Sequence, residues 1–176
     1  FSDLGGQDKP YNICPRSTLK RTIRNIENQG YTVHAGIEPE FIVMKWDNGQ
    51  PVKAIDNDPR SNGLRPRRQA FGYDVEYSID SMGFLGEMID ILEGLGWNLH
   101  DVVCEGAYSQ FELDFHYTDV LQMADRFVFL RILLKEIAKR HGMFVTFMPK
   151  PTTGDWRSGA HLNTSMRSIA EPDKNI

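Results

Sequence analysis

Apolar residues recur at helical spacing in three stretches of the chain and at strand spacing in several others. Leu19, Ile23 and Ile26 follow Pro15-Arg16-Ser17 and precede Gly30, a pattern that predicts a short amphipathic helix with a proline start and a glycine stop. Tyr31 to Trp46, rich in Val, Ile and aromatic residues, predicts a strand that turns at Asp47-Asn48-Gly49. Residues 50–70 carry prolines, Asn, Asp and the arginines Arg60, Arg65, Arg67 and Arg68; this composition cannot build a packed core and predicts a solvated loop, with phosphate contact as the alternative. Ser81 to Leu95 places Met82, Leu85, Met88, Ile89 and Leu92 on one side and predicts a second helix, weakened by Gly83, Gly86 and Gly94 and stopped by Gly96.

A strand through Phe111 and Phe115 comes next. Thr118-Asp119 then caps the longest predicted helix, whose apolar positions include Leu121, Ala124, Val128, Ile132 and Ile137. It ends at Lys139-Arg140-His141-Gly142, where cations meet the negative end of the helix dipole. Met143 to Met148 predicts a buried strand, Pro149 to Arg157 a loop, and Ser158 to Met166 an alternating strand. Helices alternate with strands, yet the connections leave the direction of strand pairing open. No internal repeat or low-complexity tract interrupts the pattern.

The 176 residues suffice for one domain or a large part of one. A net charge of -4 with acids and bases interleaved offers no broad cationic surface, which argues against nucleic acid and acidic lipid as partners. Cys14 and Cys104 stand alone without a CxxC, which fits free thiols in a reducing, cytoplasmic setting. No run approaches the roughly 20 apolar residues a bilayer span needs, so no membrane partner is expected. Phe1 at the start and a polar run to Ile176 at the end read as an excerpt from a longer polypeptide.

Candidate chemistry gathers in three places. In a strand Glu38 and Glu40 share a face, with Pro39 opposite and withholding a ladder donor. Gln110, Glu112, Asp114 and His116 share the face opposite Phe111, Leu113 and Phe115. Glu105 lies at an odd offset from Glu112, and a bend through Gly106-Ala107-Tyr108-Ser109 would return it to the same point. His161, Asn163 and Ser165 share a third face. Each cluster taken singly also fits a wet sheet surface. Converged, four glutamates would repel by roughly 2 kcal/mol per pair at about 7 Å and an effective dielectric of about 20. Convergence therefore requires cations, and carboxylates with one imidazole select Mg²⁺ or Mn²⁺ over structural Zn²⁺.

In order and spacing, Pro15-Arg16-Ser17-Thr18-Leu19-Lys20-Arg21, Gly36-Ile37-Glu38-Pro39-Glu40-Phe41, Glu105 through Gln110-Phe111-Glu112, Ala124-Asp125, His141-Gly142, Thr146-Phe147-Met148-Pro149-Lys150-Pro151 and Ser158-Gly159-Ala160-His161 resemble the catalytic domain of glutamine synthetases over nearly the whole chain. The resemblance implies an α+β fold, with a mostly antiparallel curved sheet lining the active site and helices outside. It also implies that residues 1–176 are a partial catalytic domain, without the N-terminal β-grasp-like domain and the C-terminal remainder.

The implied activity is an ATP-dependent carboxylate–amine ligase. ATP phosphorylates the γ-carboxylate of L-glutamate, and ammonia or an organic amine displaces phosphate to give the amide. Two or more Mg²⁺ or Mn²⁺ ions are implied, one on Glu40, Glu105 and Glu112 and another on Glu38 and His161. Tyr117, Asn163 and Ser165 fall at nucleotide positions, and Gln110, Trp156, Arg157 and Gly159 at substrate positions. A ring-forming homo-oligomer is implied as well.

The chain also departs from the family. Asn163 stands where the family usually has a second His, Ser109 where most relatives have Gly, and Trp156-Arg157 where they have Asn/Ser-Gly, around the amino-acid portion of glutamate. These changes, with Leu95-Gly96-Trp97, resemble the branch that makes γ-glutamylamides of organic amines. Ammonia-dependent glutamine synthesis is the alternative, and a catalytically silent structural or regulatory relative is a third.

Overall fold

The computed structural model describes all residues except 1, 7–8, 55–71, 74–81 and 154–155, and of Met82 the backbone alone. The four loop arginines and the predicted helix start at Ser81 therefore lie outside the described residues. The chain divides into two compact units, the first formed by Phe1–Ile37, Tyr117–Phe129 and Leu162–Ile176, the second by Glu38–His116 and Leu130–His161.

In the first unit, the short strands β1 (Gly5–Gly6) and β2 (Lys9–Pro10) pair antiparallel ahead of helix α1 (Pro15–Glu27). Pro15 opens α1, where its missing N–H costs nothing, and Gly30 closes the turn at φ +87°. Arg16 fastens the helix: its Nη1 reaches Asp3 Oδ1 at 2.8 Å, while Nε and Nη2 fork onto Asp125 at 2.9 and 2.8 Å. Leu19, Ile23 and Ile26 are only half-buried. Ile23 and Ile26 line an open pocket of about 390 Å³ with Val33, His34 and Leu121. The early part of β3 (Tyr31–Asp47) pairs with β7 (Thr118–Asp119), His34 facing Asp119. Asp119 Oδ1 then accepts the Gln122 N–H at 2.9 Å, capping helix α3 (Val120–Arg140).

The second unit is built on an antiparallel sheet. In it β3 lies between β4 (Gln50–Lys53) and β6 (Gln110–Phe115), β5 (Leu99–Cys104) lies outside β6, and β8 (Phe144–Thr146) also pairs with β3. The turn at Asn48 (φ 47°) and Gly49 (φ 76°) makes a tight hairpin from β3 into β4, so the expected loop begins as an edge strand. Pro51 fits there because an edge position needs no ladder donor. Strand β5, which the sequence pattern did not reveal, has its alternation broken by a bulge between Leu99 and Asp101.

The core beneath this sheet is aromatic. Phe41 is fully buried and lies 6.0 Å from both Phe111 and Phe147 and 6.5 Å from Phe84, ring centre to ring centre. Burying such a ring is worth about 2–3 kcal/mol. Helix α2 (Met82–Gly94) supplies Phe84, Leu85, Met88 and Leu92, and the latter part of α3 supplies Leu130, Leu134, Ile137 and Ala138. The buried stripe of α3 thus differs from the one expected. Ile137 is buried, whereas Val128 and Ile132 are exposed, because the inward row of the helix is Leu130, Leu134, Ile137 and Ala138.

Both helices end in the same way. Gly96 and Gly142 take φ +65° and +69°, Trp97 N–H returns to the Leu92 carbonyl at 3.2 Å, and Met143 N–H to Ala138 at 2.9 Å. These are Schellman closures, which give the last carbonyls their partners. Strand β9 (Ala160–Ser168) starts in the second unit and continues in the first. Among the described residues no helix is long and apolar enough to cross a membrane.

Candidate metal centre

Strand pleating explains why acids collect on one face of the second unit. Glu38 and Glu40 are two apart on β3, with Pro39 packed into the core between them. In the β3–β6 ladder Glu40 lies directly opposite Glu112, and Ile42 opposite Gln110. Two carboxylates in register across a ladder repel. Asp114 continues the row two residues beyond Glu112.

Glu105 joins from the β5–β6 connection. There the Glu105 N–H donates to the Gln110 carbonyl at 2.9 Å and the Gln110 N–H to Ala107 at 3.1 Å. The left-handed residue in this bend is Ser109 at φ 62°, fully buried, whereas Gly106 does not take a positive φ. Ser there bears a cost that Gly would not.

Two groupings bring ligand atoms within 4.8 Å of one another: Glu40, Glu112 and His161, and Glu38, Glu112 and Asp114. His161 Nδ1 also lies 3.4 Å from Glu38 Oε2. Glu112 belongs to both groupings, and Asp114 is an acid outside the ligand set expected from sequence. Its signal was the period-two row from Glu112. Glu105 stands outside both groupings yet near enough for the charge of Glu40 to act on it.

The carboxyls of the cluster act on one another electrostatically. Burial pushes the Glu112 carboxyl up to about 7, with Asp114, Glu105, Glu40 and Glu38 adding like charge. Burial likewise raises Glu105, helped by Glu40, and raises Asp114, helped by Glu38. Asp114 Oδ1 is buried without a hydrogen-bond partner. Carboxylates that resist ionisation together, a bare buried oxygen and one imidazole form a donor set suited to a hard divalent cation.

The face is also braced. Gln110 has no exposed surface, and its Nε2 donates to Glu40 Oε2 at 2.7 Å and to the Arg157 carbonyl at 3.0 Å. Its Oε1 accepts the Ala107 N–H at 3.1 Å. Gly159 gives Glu40 room: a Cβ there would lie 2.9 Å from Glu40 Oε1 and 3.3 Å from His161 Nε2. The Glu40 N–H donates to the Gly159 carbonyl at 3.1 Å.

Of the other residues assigned from sequence, Trp156 and Arg157 are exposed in the second unit, the Trp156 ring lying against Gly106. Tyr117, Asn163 and Ser165 belong to the first unit. There the Arg167 guanidinium lies 5.4 Å above the Tyr117 ring and donates to its hydroxyl at 2.9 Å, and His34 meets the same ring edge-on at 5.8 Å. One feature was not expected at all: His100, at the β5 bulge, brings its ring centre 4.8 Å from that of His116.

A family model described as glutamine synthetase, catalytic domain, matches residues 12–176. Glutamine synthetase of Rhizobium leguminosarum bv. phaseoli is 31% identical over 168 residues, spanning 96% of this chain and 36% of that protein. The Methanosarcina mazei glutamine synthetase is 34% identical over 170 residues, spanning 95% and 34%. A solved structure of GmaS with ADP superposes with a TM-score of 0.84 at 27% identity, covering 98% of this chain and 37% of that one. Plasmodium falciparum glutamine synthetase shares the fold, with a TM-score of 0.79 at 22% identity over 96% of this chain and 36% of its own. The chain thus spans about a third of the length of the curated relatives it matches.

Proposed function

The chain belongs to the glutamine synthetase family, and we propose that the acid face of its second unit is the divalent-metal part of an ATP-dependent glutamate–amine ligase. The observation that carries this reading is the approach of Glu40, Glu112 and His161 to within 4.8 Å, ligand atom to ligand atom, around a carboxyl that ionises only near neutrality. Glu40, Glu105 and Glu112 would hold one ion, and Glu38 and His161 the other, with Asp114 completing the row. Bound there, Mg²⁺ or Mn²⁺ would neutralise the negative charge that a phosphoryl group and a carboxylate bring together.

In the reaction, the γ-carboxylate oxygen of glutamate attacks the γ-phosphorus of ATP, and ADP leaves. The amine nitrogen then attacks the resulting acyl phosphate carbon, the C–N bond forms, and inorganic phosphate departs. The proton released from nitrogen passes to solvent or a nearby base. This chain's residues contribute position and charge: Gln110 and Gly159 fix the Glu40 carboxylate, and the β3–β6 register fixes Glu112 opposite it.

The acceptor in this reading is an organic amine, supported by Asn163 and by Trp156-Arg157 in place of the usual residues. With ATP, Mg²⁺, glutamate and a panel of amines, the intact ligase that carries this domain should release phosphate only when an amine is present. Failure with every amine and with ammonia overturns the proposal. The names of the curated relatives favour a second reading, glutamine synthesis from ammonia. That reading requires ammonia to give the highest kcat/KM in the panel.

A further inference from the structure

At one end of the β5–β6 ladder the donor atoms change in kind. Glu112 and Asp114 alternate along β6 and His116 follows just past its end, so a row that begins in carboxylates finishes in an imidazole. His100 joins it there from β5: the two ring centres lie 4.8 Å apart, with the ring planes inclined at 54°. Both residues are exposed, so the contact removes little apolar surface from water and gains little from burial.

The backbone fixes this pair from both sides. Leu99 pairs with Phe115 and Asp101 with Asp114, which leaves His100 as the extra residue of the bulge between them. The His116 N–H donates to the Asn98 carbonyl at 3.1 Å, and the buried rings of Trp97 and Phe115, one from each side of the ladder, meet edge-on at 6.2 Å. A bulge re-aims the side chain it carries, and here the side chain it carries meets a second imidazole.

Two imidazoles at this range have the dimensions of a chelate. Nitrogen–metal bonds of about 2.1 Å at octahedral or tetrahedral angles hold the centres of two imidazole rings roughly 4.6–5.3 Å apart. The observed 4.8 Å falls inside that range, and inclined planes let ring nitrogens converge where parallel stacking would not. Imidazole suits Zn²⁺, Ni²⁺ and Cu²⁺, whereas Mg²⁺ keeps to oxygen ligands. The nitrogen end of the row therefore selects a different class of ion from the carboxylate end.

We propose that His100 and His116 form a chelating site for a divalent transition-metal ion of the Zn²⁺, Ni²⁺ and Cu²⁺ class, with water in the remaining coordination positions. The site is separate from the Mg²⁺ or Mn²⁺ centre and does not rest on the ligase reading.

The test is calorimetric titration of the full chain with Ni²⁺ in saturating Mg²⁺. Ni²⁺ should bind, and His100→Gln and His116→Gln should each weaken the same class of Ni²⁺ site at least about tenfold, since even the loss of a ligand's hydrogen-bond partner costs that much. His161→Gln, which removes the imidazole of the acid face, should leave that class unchanged. Thermal melts check that each variant is folded. A second measurement needs no substitution: diethyl pyrocarbonate labelling of the unaltered chain, mapped by mass spectrometry. Ni²⁺ should protect His100 and His116 together and leave the labelling of His141, which lies 2.7 Å from Glu87, as it was. Absence of Ni²⁺ binding, Ni²⁺ binding that only His161→Gln weakens, or labelling of His100 and His116 that Ni²⁺ does not alter overturns the site.

Discussion

The side chain of Gln110, wholly inside the protein, donates to Glu40 Oε2 at 2.7 Å and so sets the direction of a carboxylate on the neighbouring strand. The same amide holds the Arg157 carbonyl and the Ala107 N–H. Replacing it with Leu deprives those groups of a partner at once, and each buried group left unsatisfied costs about 1–3 kcal/mol. Gln110→Leu should therefore lower the unfolding free energy in urea by about 3 kcal/mol, whereas the exposed Gln29→Leu should change it by less than about 0.5 kcal/mol. A loss below about 1 kcal/mol for Gln110→Leu would show that its bonds are not maintained in solution.

Divalent cations should stabilise the chain. At a concentration about one hundred times its dissociation constant, Mn²⁺ should add about 2.7 kcal/mol, read as a rise in Tm. Glu40→Gln and His161→Ala should each reduce that gain, while Glu40→Gln leaves the metal-free Tm unchanged or higher, since one of two opposed charges is gone. A metal-independent Tm in the unaltered chain would contradict the metal centre.

Stability without metal should fall as pH rises across the window set by Glu112. Its folded value, about 7, lies above the ordinary 4.5, so between those limits the folded chain binds more protons than the unfolded chain. The linkage relation then gives a negative slope: the contribution is fully present below about pH 4.5 and is lost as pH rises through about 7. Melts of metal-free protein between about pH 5 and pH 7.5 should show that component disappear in Glu112→Gln. Saturating Mg²⁺ should flatten it in the unaltered chain.

Gly142 closes α3 at φ +69°, and among the described residues, its two chain neighbours aside, no atom lies within 4 Å of where a Cβ would sit. The cost of Ala there is therefore purely conformational, about 1 kcal/mol, and should appear as a lower urea midpoint. Gly142→Asn should lose less, because Asn tolerates the left-handed region. Equal losses for the two would indicate a steric cause.

The acid row was legible in the sequence because pleating translates spacing into faces directly: Glu38 with Glu40, and Glu112 with Asp114, needed no tertiary information. The opposition of Glu40 and Glu112 was not legible, since register depends on partner strands distant in the chain. Strand β5 escaped notice because His100 breaks its alternation at a bulge, and β4 because Pro51 and the adjacent polar run disguised an edge strand. The apolar spacing predicts the long helix but not which of its sides faces inward. With Val128, Phe129 and Ile132 exposed and Leu130 and Leu134 buried, its apolar residues spread over more than one face.

The ladder that sets Glu40 against Glu112 also sets Ile42 against Gln110. Adding or deleting one residue in the Ala107–Ser109 turn would bring every side chain of β6 to the opposite surface. Phe111 and Leu113 would be turned toward water, and Glu112 and Asp114 toward the aromatic core. A frame change of that kind cannot yield a folded protein with a weakened site, because the error that dismantles the chemistry also drives charge into the interior. Length variation at this turn is thus filtered during folding, before any substrate is met.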